Sequence, residues 1–212
     1  MTRMLALLAL IDSKRRELLA AGVLPRLAEL MHRAIADGDK ELQTACTYAL
    51  ANVSADVDQA DEFLRLKLVM PLIAGLEEEA DETRQRSAQA LGNLAHASSA
   101  MRLKIHAAKG PAQLVALIGE LNNDRVQMAS MRALVALGEE EPVAEFLLES
   151  KATTTLTLSA MRRTRTERVM TLGGDLLERL CEKGSPAKLM NQKVLQAMCA
   201  LREQRIQHNI VR

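Results

Sequence analysis

Apolar side chains recur at helical spacing through most of this 212-residue chain. From Leu42 onward they fall at every third or fourth position, which places them on one face of an α-helix. The stripe consists of Leu42, Ala45, Cys46, Ala49, Leu50 and Val53. The pattern predicts an amphipathic helix with that face packed into a core.

Two later stretches follow the same template. The phrase YALANV at residues 48–53 returns as QALGNL at 89–94, 41 residues later, and a third copy, RALVAL at 132–137, follows after 43 more. A small residue stands at the same place in each copy; these residues are Cys46, Ser87 and Ser130. We therefore predict three equivalent helices, each in close contact with a neighbouring helix at its small residue.

Turn-forming residues precede each of these helices. They are Asp37-Gly38-Asp39, Ala80-Asp81 and Asn122-Asn123-Asp124. Such residues predict a polar turn and a side chain that caps the helix N-terminus. Further upstream, residues 22–31, 69–76 and 110–118 each carry a proline, and the first and third of these segments begin with glycine. A left-handed glycine ends one helix and a proline begins the next, so we predict three helices per unit.

A period of about 40 to 47 residues with three helices per unit is typical of armadillo-type arrays, whose units stack into a solenoid. The sequence resembles the armadillo repeat family, and more distantly the HEAT repeats. The matching residues are Gly22, Pro25, Leu27, Leu30, Ala49, Leu50, Asn52 and Val53 in the first unit, Pro71, Ala90, Leu91, Asn93 and Leu94 in the second, and Gly110, Ala133 and Leu134 in the third. The second unit lacks the corner glycine, and the third has Ala136 in place of the asparagine.

The repeats set the expected domain organisation, which is one continuous all-α, right-handed α-solenoid. Residues 1–138 are expected to hold a partial N-terminal unit and about three armadillo-like units. Residues 139–183 are expected to form a degenerate fourth repeat, in which Gly173-Gly174 predicts a helix break. Residues 184–212 are expected to form a capping helix.

The resemblance implies a binding groove. In armadillo proteins that bind extended peptides, an asparagine on each third helix bonds the ligand backbone, and an aromatic residue one turn earlier contacts its side chains. Asn52 and Asn93 match the asparagine and Tyr48 matches the aromatic residue, whereas Gln89 and Arg132 stand at the later aromatic positions. For Tyr48, Asn52 and Asn93, a structural bond to a neighbouring repeat is the alternative interpretation.

Charge is distributed unevenly along the chain. Residues 1–150 carry 16 basic and 22 acidic side chains, whereas residues 151–212 carry 12 basic and 5 acidic ones. The densest basic stretch contains Arg162, Arg163, Arg165 and Arg168. It is interpreted as a solvated face, as a surface for an acidic protein, or as a nucleic-acid contact. Nucleic acid is disfavoured because no aromatic side chain is interleaved for base stacking.

Catalytic and cofactor motifs are absent from the sequence. The four histidines have no metal-ligand spacing, and there is no phosphate-binding or dinucleotide fingerprint. The cysteines Cys46, Cys181 and Cys199 are too few and too scattered for a disulfide framework, so buried thiols in a reducing compartment are expected. The apolar run after Arg3 is too short to span a bilayer. An intracellular, cytoplasmic protein is expected, although a cleaved organellar presequence would leave no trace.

These observations favour a non-catalytic scaffold or adaptor that binds a protein segment in the concave groove, without a cofactor or small-molecule substrate. The alternative is an architectural subunit of a large multiprotein assembly, held by neighbouring subunits through its ends and its basic C-terminal region. The two differ in which surface carries the partner.

Overall fold

The structure, a computed structural model, describes residues 12–120, 123–164 and 166–184. Across these ranges the chain forms α-helices and one short 3-10 helix, Val57–Gln59, with no β-strand. The helices are α1 Asp12–Ala20, α2 Val23–Asp37, α3 Lys40–Val53, α4 Ala60–Arg65, α5 Val69–Ala74, α6 Asp81–Ala97, α7 Ser99–Ala107, α8 Gly110–Ile118, α9 Asp124–Leu137, α10 Glu141–Glu149, α11 Lys151–Arg163 and α12 Glu167–Lys183. The predicted all-α fold is confirmed.

The helices follow one another in four sets of three, and the third helix of each set joins a continuous row. Helix α3 packs against α6, α6 against α9, and α9 against α12. One leucine at an equivalent position in each of these helices is at most 1% exposed; these are Leu50, Leu91, Leu134 and Leu177. The apolar template read from the sequence is therefore the core of a stacked α-solenoid.

The first three corners between first and second helices use a left-handed residue, though not always a glycine, whereas Ser150 at the fourth corner is extended, with φ of −75°. Gly22 has φ of 74° at the start of α2. At the second and third corners Lys67 and Lys109 take this conformation, with φ of 56° and 64°. Gly110 instead opens α8, and a Cβ on it would lie 2.7 Å from Ile105 Cγ2. The expectation of a left-handed Gly110 is wrong, because the residue is needed for close packing rather than for its φ.

Helix caps follow the predicted polar turns in two of three cases. The Asp39 side chain accepts a hydrogen bond from the Leu42 amide at 2.9 Å, and that of Asn123 accepts one from the Val126 amide at 3.2 Å. Before α6, however, the cap position is occupied by Ala80, which has no side-chain acceptor. The prediction of a side-chain cap for α6 is wrong, because the polar residue Asp81 is the first residue of the helix and does not occupy the cap position.

Helix α12 runs without interruption through Gly173-Gly174, so the predicted helix break is wrong. A Cβ at Gly173 would lie 2.5 Å from Met161 Sδ and 2.6 Å from its Cγ. The missing side chain allows α12 to approach α11 closely. Gly75 provides space in the same way, because a Cβ there would collide with the Ser87 hydroxyl of α6.

The two described cysteines are free thiols. Cys46 is fully buried on α3, and burial raises the pKa of its thiol to about 11. Cys181 is half-buried on α12, and burial also raises the pKa of its thiol. None of the helices in the described ranges is both long and apolar enough to cross a membrane.

Some sequence predictions fall outside the described residues. These are the partial unit before residue 12, the capping helix beyond Gly184, the side chain of Arg165 and the thiol of Cys199.

Candidate functional site

The third helices α6, α9 and α12 line a cleft of about 470 Å³. The lining side chains recur every three or four residues on each helix, so each helix presents one face. They are Gln85, Ala88, Gln89, Gly92, Asn93 and His96 on α6, Arg125, Met128, Ala129, Arg132 and Val135 on α9, and Arg168 and Leu172 on α12. Gly92 allows the first two helices to approach closely, since a Cβ there would lie 3.2 Å from Ala133 Cα.

The cleft carries positive charge. Arg125, Arg132 and Arg168 line it, and no aspartate or glutamate is among the described lining residues. All three arginines are exposed, and none forms an ion pair or hydrogen bond within the part of the chain that the structure describes. Some arginines outside the cleft are paired: Arg102 pairs with Glu140 at 2.7 Å and lowers the pKa of that carboxyl group.

Three amide side chains, those of Gln85, Gln89 and Asn93, lie on the α6 wall of the cleft. Asn93 Nδ2 donates to the Ala51 carbonyl at 3.2 Å and to Ser54 Oγ at 3.1 Å, and so ties α6 to the end of α3. Gln89 Oε1 accepts a hydrogen bond from Arg86 Nη1 at 3.0 Å. Of the residues that the armadillo resemblance assigned to a groove, Gln89, Asn93 and Arg132 therefore share one cleft.

Tyr48 and Asn52 lie outside the lining of this cleft. Tyr48 is half-buried, and the guanidinium carbon of Arg86 stands 4.0 Å from its ring centroid, in cation–π geometry. Asn52 is only 3% exposed. Tyr48 contacts Arg86, and Arg86 in turn donates a hydrogen bond to Gln89, which lines the cleft. A structural role between repeats accounts for these contacts, and a groove role for Tyr48 and Asn52 stays a prediction.

The basic stretch read from the sequence is divided by the fold. Arg168, in the first turn of α12, lines the cleft, whereas Arg162 and Arg163 are exposed at the end of α11. Sequence reasoning missed Arg125, which lies 43 residues before Arg168 and occupies the same place on α9. The repeat period was the signal that could have found it.

Among the described residues, no group of three or more His, Cys, Asp or Glu side chains is placed to hold a metal ion. The cleft offers guanidinium groups, amides and apolar side chains. Such a set suits recognition of an anionic, extended ligand by hydrogen bonding and contact.

Comparison with known proteins places the fold and the family. The PUL domain family model matches residues 2–140. A designed armadillo repeat protein has a TM-score of 0.81 and 19% identity, over 96% of this chain and 83% of that one. A second design, in complex with the peptide (KR)4, has a TM-score of 0.79 and 19% identity, over 96% and 82% of the two chains.

A natural protein also shares the fold. ARO, the armadillo repeats only protein from Plasmodium falciparum, has a TM-score of 0.71 and 18% identity, over 84% of this chain and 78% of that one. No curated protein matches the sequence. The armadillo-like repeats recognised in the sequence are confirmed, and the chain belongs to the PUL domain family.

Proposed function

We propose that this protein is a non-catalytic adaptor that binds an extended, acidic segment of a partner protein in the cleft between α6, α9 and α12. The observation that carries this proposal is the group of three cleft arginines, Arg125, Arg132 and Arg168, which have no ion-pair partner within the described chain. Unpaired like charges in one cleft repel one another, and a carboxylate-bearing ligand relieves that repulsion.

The chemistry of the lining supports an extended peptide over a compact ligand. Guanidinium groups bind carboxylates through two parallel hydrogen bonds. The Gln89 and Asn93 amides offer donors and acceptors to a peptide backbone. Met128 and Leu172 add apolar contact between the charged groups. The cleft crosses three helices rather than closing around one point, which suits a segment that lies along the row.

One of the solved armadillo designs is relevant to the charge of the expected peptide ligand. One armadillo design was solved with (KR)4, a basic peptide. The fold therefore accommodates a charged peptide in that protein. The arginines of the present cleft favour a peptide of the opposite sign.

Fluorescence anisotropy with two labelled peptides, (DE)4 and (KR)4, tests the proposal. We expect wild-type protein to bind (DE)4 and not (KR)4. The variant Arg125→Gln/Arg132→Gln/Arg168→Gln should bind (DE)4 about tenfold more weakly, because three lost exposed charge pairs at about 0.5 kcal/mol each amount to about 1.5 kcal/mol. The salt dependence of binding should also decrease.

The matched control is Arg33→Gln/Arg162→Gln/Arg163→Gln, which removes the same number of exposed charges from helices that do not line the cleft. It should keep nearly wild-type affinity. An equal loss in both variants would mean that (DE)4 responds to net charge alone. Crosslinking of native partners only through residues 139–212 outside the cleft would favour the architectural subunit instead.

A further inference from the structure

Charge changes sign along a row of four equivalent positions on the third helices, of which the last two line the cleft. The second residue of each third helix is Glu41 in α3, Glu82 in α6, Arg125 in α9 and Arg168 in α12. All four side chains are exposed, and none has an ion-pair partner within the described residues. The row therefore presents two unneutralised negative charges followed by two unneutralised positive ones.

Helix stability does not explain this order. The first turn of a helix favours acidic side chains and disfavours basic ones, because the backbone dipole is positive there. Glu41 and Glu82 satisfy this preference, whereas Arg125 and Arg168 oppose it. Side chains that break a local rule without a compensating partner are typical of functional positions, and both arginines line the cleft.

Contacts between successive repeats hold the row in place. Thr44 Oγ1 and Thr83 Oγ1 lie 2.9 Å apart and join α3 to the first turn of α6. Arg84 pairs with Glu120, which links α6 to the segment before α9. The Thr164 hydroxyl donates to Asp124 Oδ2 at 3.3 Å and so joins the start of α9 to the segment before α12. The four charges thus stand on a fixed frame.

We infer that the partner segment is bipolar, with acidic residues over α9 and α12 and basic residues over α3 and α6. This inference rests on the proposed function of the cleft. Neighbouring helix axes lie about 10 Å apart, so the row spans about 30 Å and about nine residues of extended chain. A uniformly acidic segment of that length would place carboxylates next to Glu41 and Glu82. The row therefore sets the register of the ligand as well as its charge.

Two labelled peptides separate this inference from the proposed function. DDDDSGSGSGS carries only an acidic block. DDDDSGSKKKK has the same length and the same acidic block, and adds a basic block at the other end. We expect wild-type protein to bind both, and to bind the bipolar peptide about threefold to tenfold more tightly, as two additional exposed charge pairs allow.

The variant Glu41→Gln/Glu82→Gln should lose that preference and keep its affinity for DDDDSGSGSGS. The control Asp61→Asn/Glu141→Gln removes two exposed acidic charges from first helices and should keep the preference. Equal binding of both peptides by wild type, or an equal loss in the control, would overturn the bipolar register alone. If neither peptide binds, the proposed function itself is wrong.

A photo-crosslinker on the acidic end of DDDDSGSKKKK gives the direction directly. We expect crosslinks to α9 and α12. Crosslinks to α3 instead would overturn the assigned charge order.

Discussion

Asn93 both bonds the preceding repeat and lines the cleft in which we propose that the partner binds. Its amide nitrogen bonds Ala51 and Ser54 of the preceding repeat, while the side chain also lines the cleft. The amide group orients the cleft wall by tying α6 to α3. A side chain of this kind affects the stability of the protein even when no ligand is present.

We predict that Asn93→Ala lowers the free energy of unfolding by about 1–2 kcal/mol, because two hydrogen bonds between repeats are lost. Urea denaturation monitored by circular dichroism measures this change. Gln85→Ala is the matched control, since Gln85 lines the cleft on the same helix and its side chain forms no hydrogen bond in the described chain. Unchanged stability in Asn93→Ala would show that the two bonds contribute nothing.

The contacts of Asn93 and Tyr48 show which features of single residues could be predicted from the sequence. The spacing of Ala-Leu-x-Asn correctly assigned Asn93 to the third helix, and the alternative interpretation anticipated its bond to a neighbouring repeat. The contact of Arg86 with Tyr48 was not predictable, because Arg86 stands where the first unit has Ala45. Whether a side chain faces a ligand or a neighbouring repeat depends on atoms more than 30 residues away in the chain.

At the scale of the helix, the third helices determine the fold because each buries its apolar stripe between two neighbours. Leu91 on α6 has no exposed surface, and α6 packs against both α3 and α9. The loss of one such side chain therefore leaves a cavity that the stack cannot close by local movement.

We predict that Leu91→Ala lowers the free energy of unfolding by about 2–5 kcal/mol. Leu103→Ala on α7 should change it by about 0.5 kcal/mol or less, because Leu103 is 43% exposed. Thermal and urea unfolding of both variants tests this pair. Similar effects of the two substitutions would contradict the assigned core.

Helix boundaries were less predictable than the helices themselves. Periodicity located the third helices, but the left-handed corner residue is Lys109 rather than Gly110, and α12 passes through Gly173-Gly174. In both places the glycine provides space for a neighbouring side chain, Ile105 or Met161. A sequence shows that a glycine is present and not which of its two properties the fold uses.

At the scale of the whole molecule, stacking gathers charge that is dispersed in sequence. Arg125, Arg132 and Arg168 span 44 residues of the chain, yet all three line one cleft. The resemblance already assigned Gln89, Asn93 and Arg132 to a groove, and the sequence indicated a basic C-terminal part. It did not indicate that the three arginines converge, because Arg125 and Arg132 belong to the acidic residues 1–150. Only the superposition of repeats brings them together.

The most direct test of the account is a methyl NMR titration of the 23.3 kDa protein with (DE)4. The account predicts chemical-shift changes at Met128, Val135 and Leu172 in the cleft, and none at the exposed side chains of Met70 and Leu103 on other helices. At the same peptide concentration the changes should be smaller in Arg125→Gln/Arg132→Gln/Arg168→Gln, because this variant is expected to bind (DE)4 about tenfold more weakly. Shifts at Met70 or Leu103 without shifts in the cleft would contradict the central claim that the cleft receives the partner.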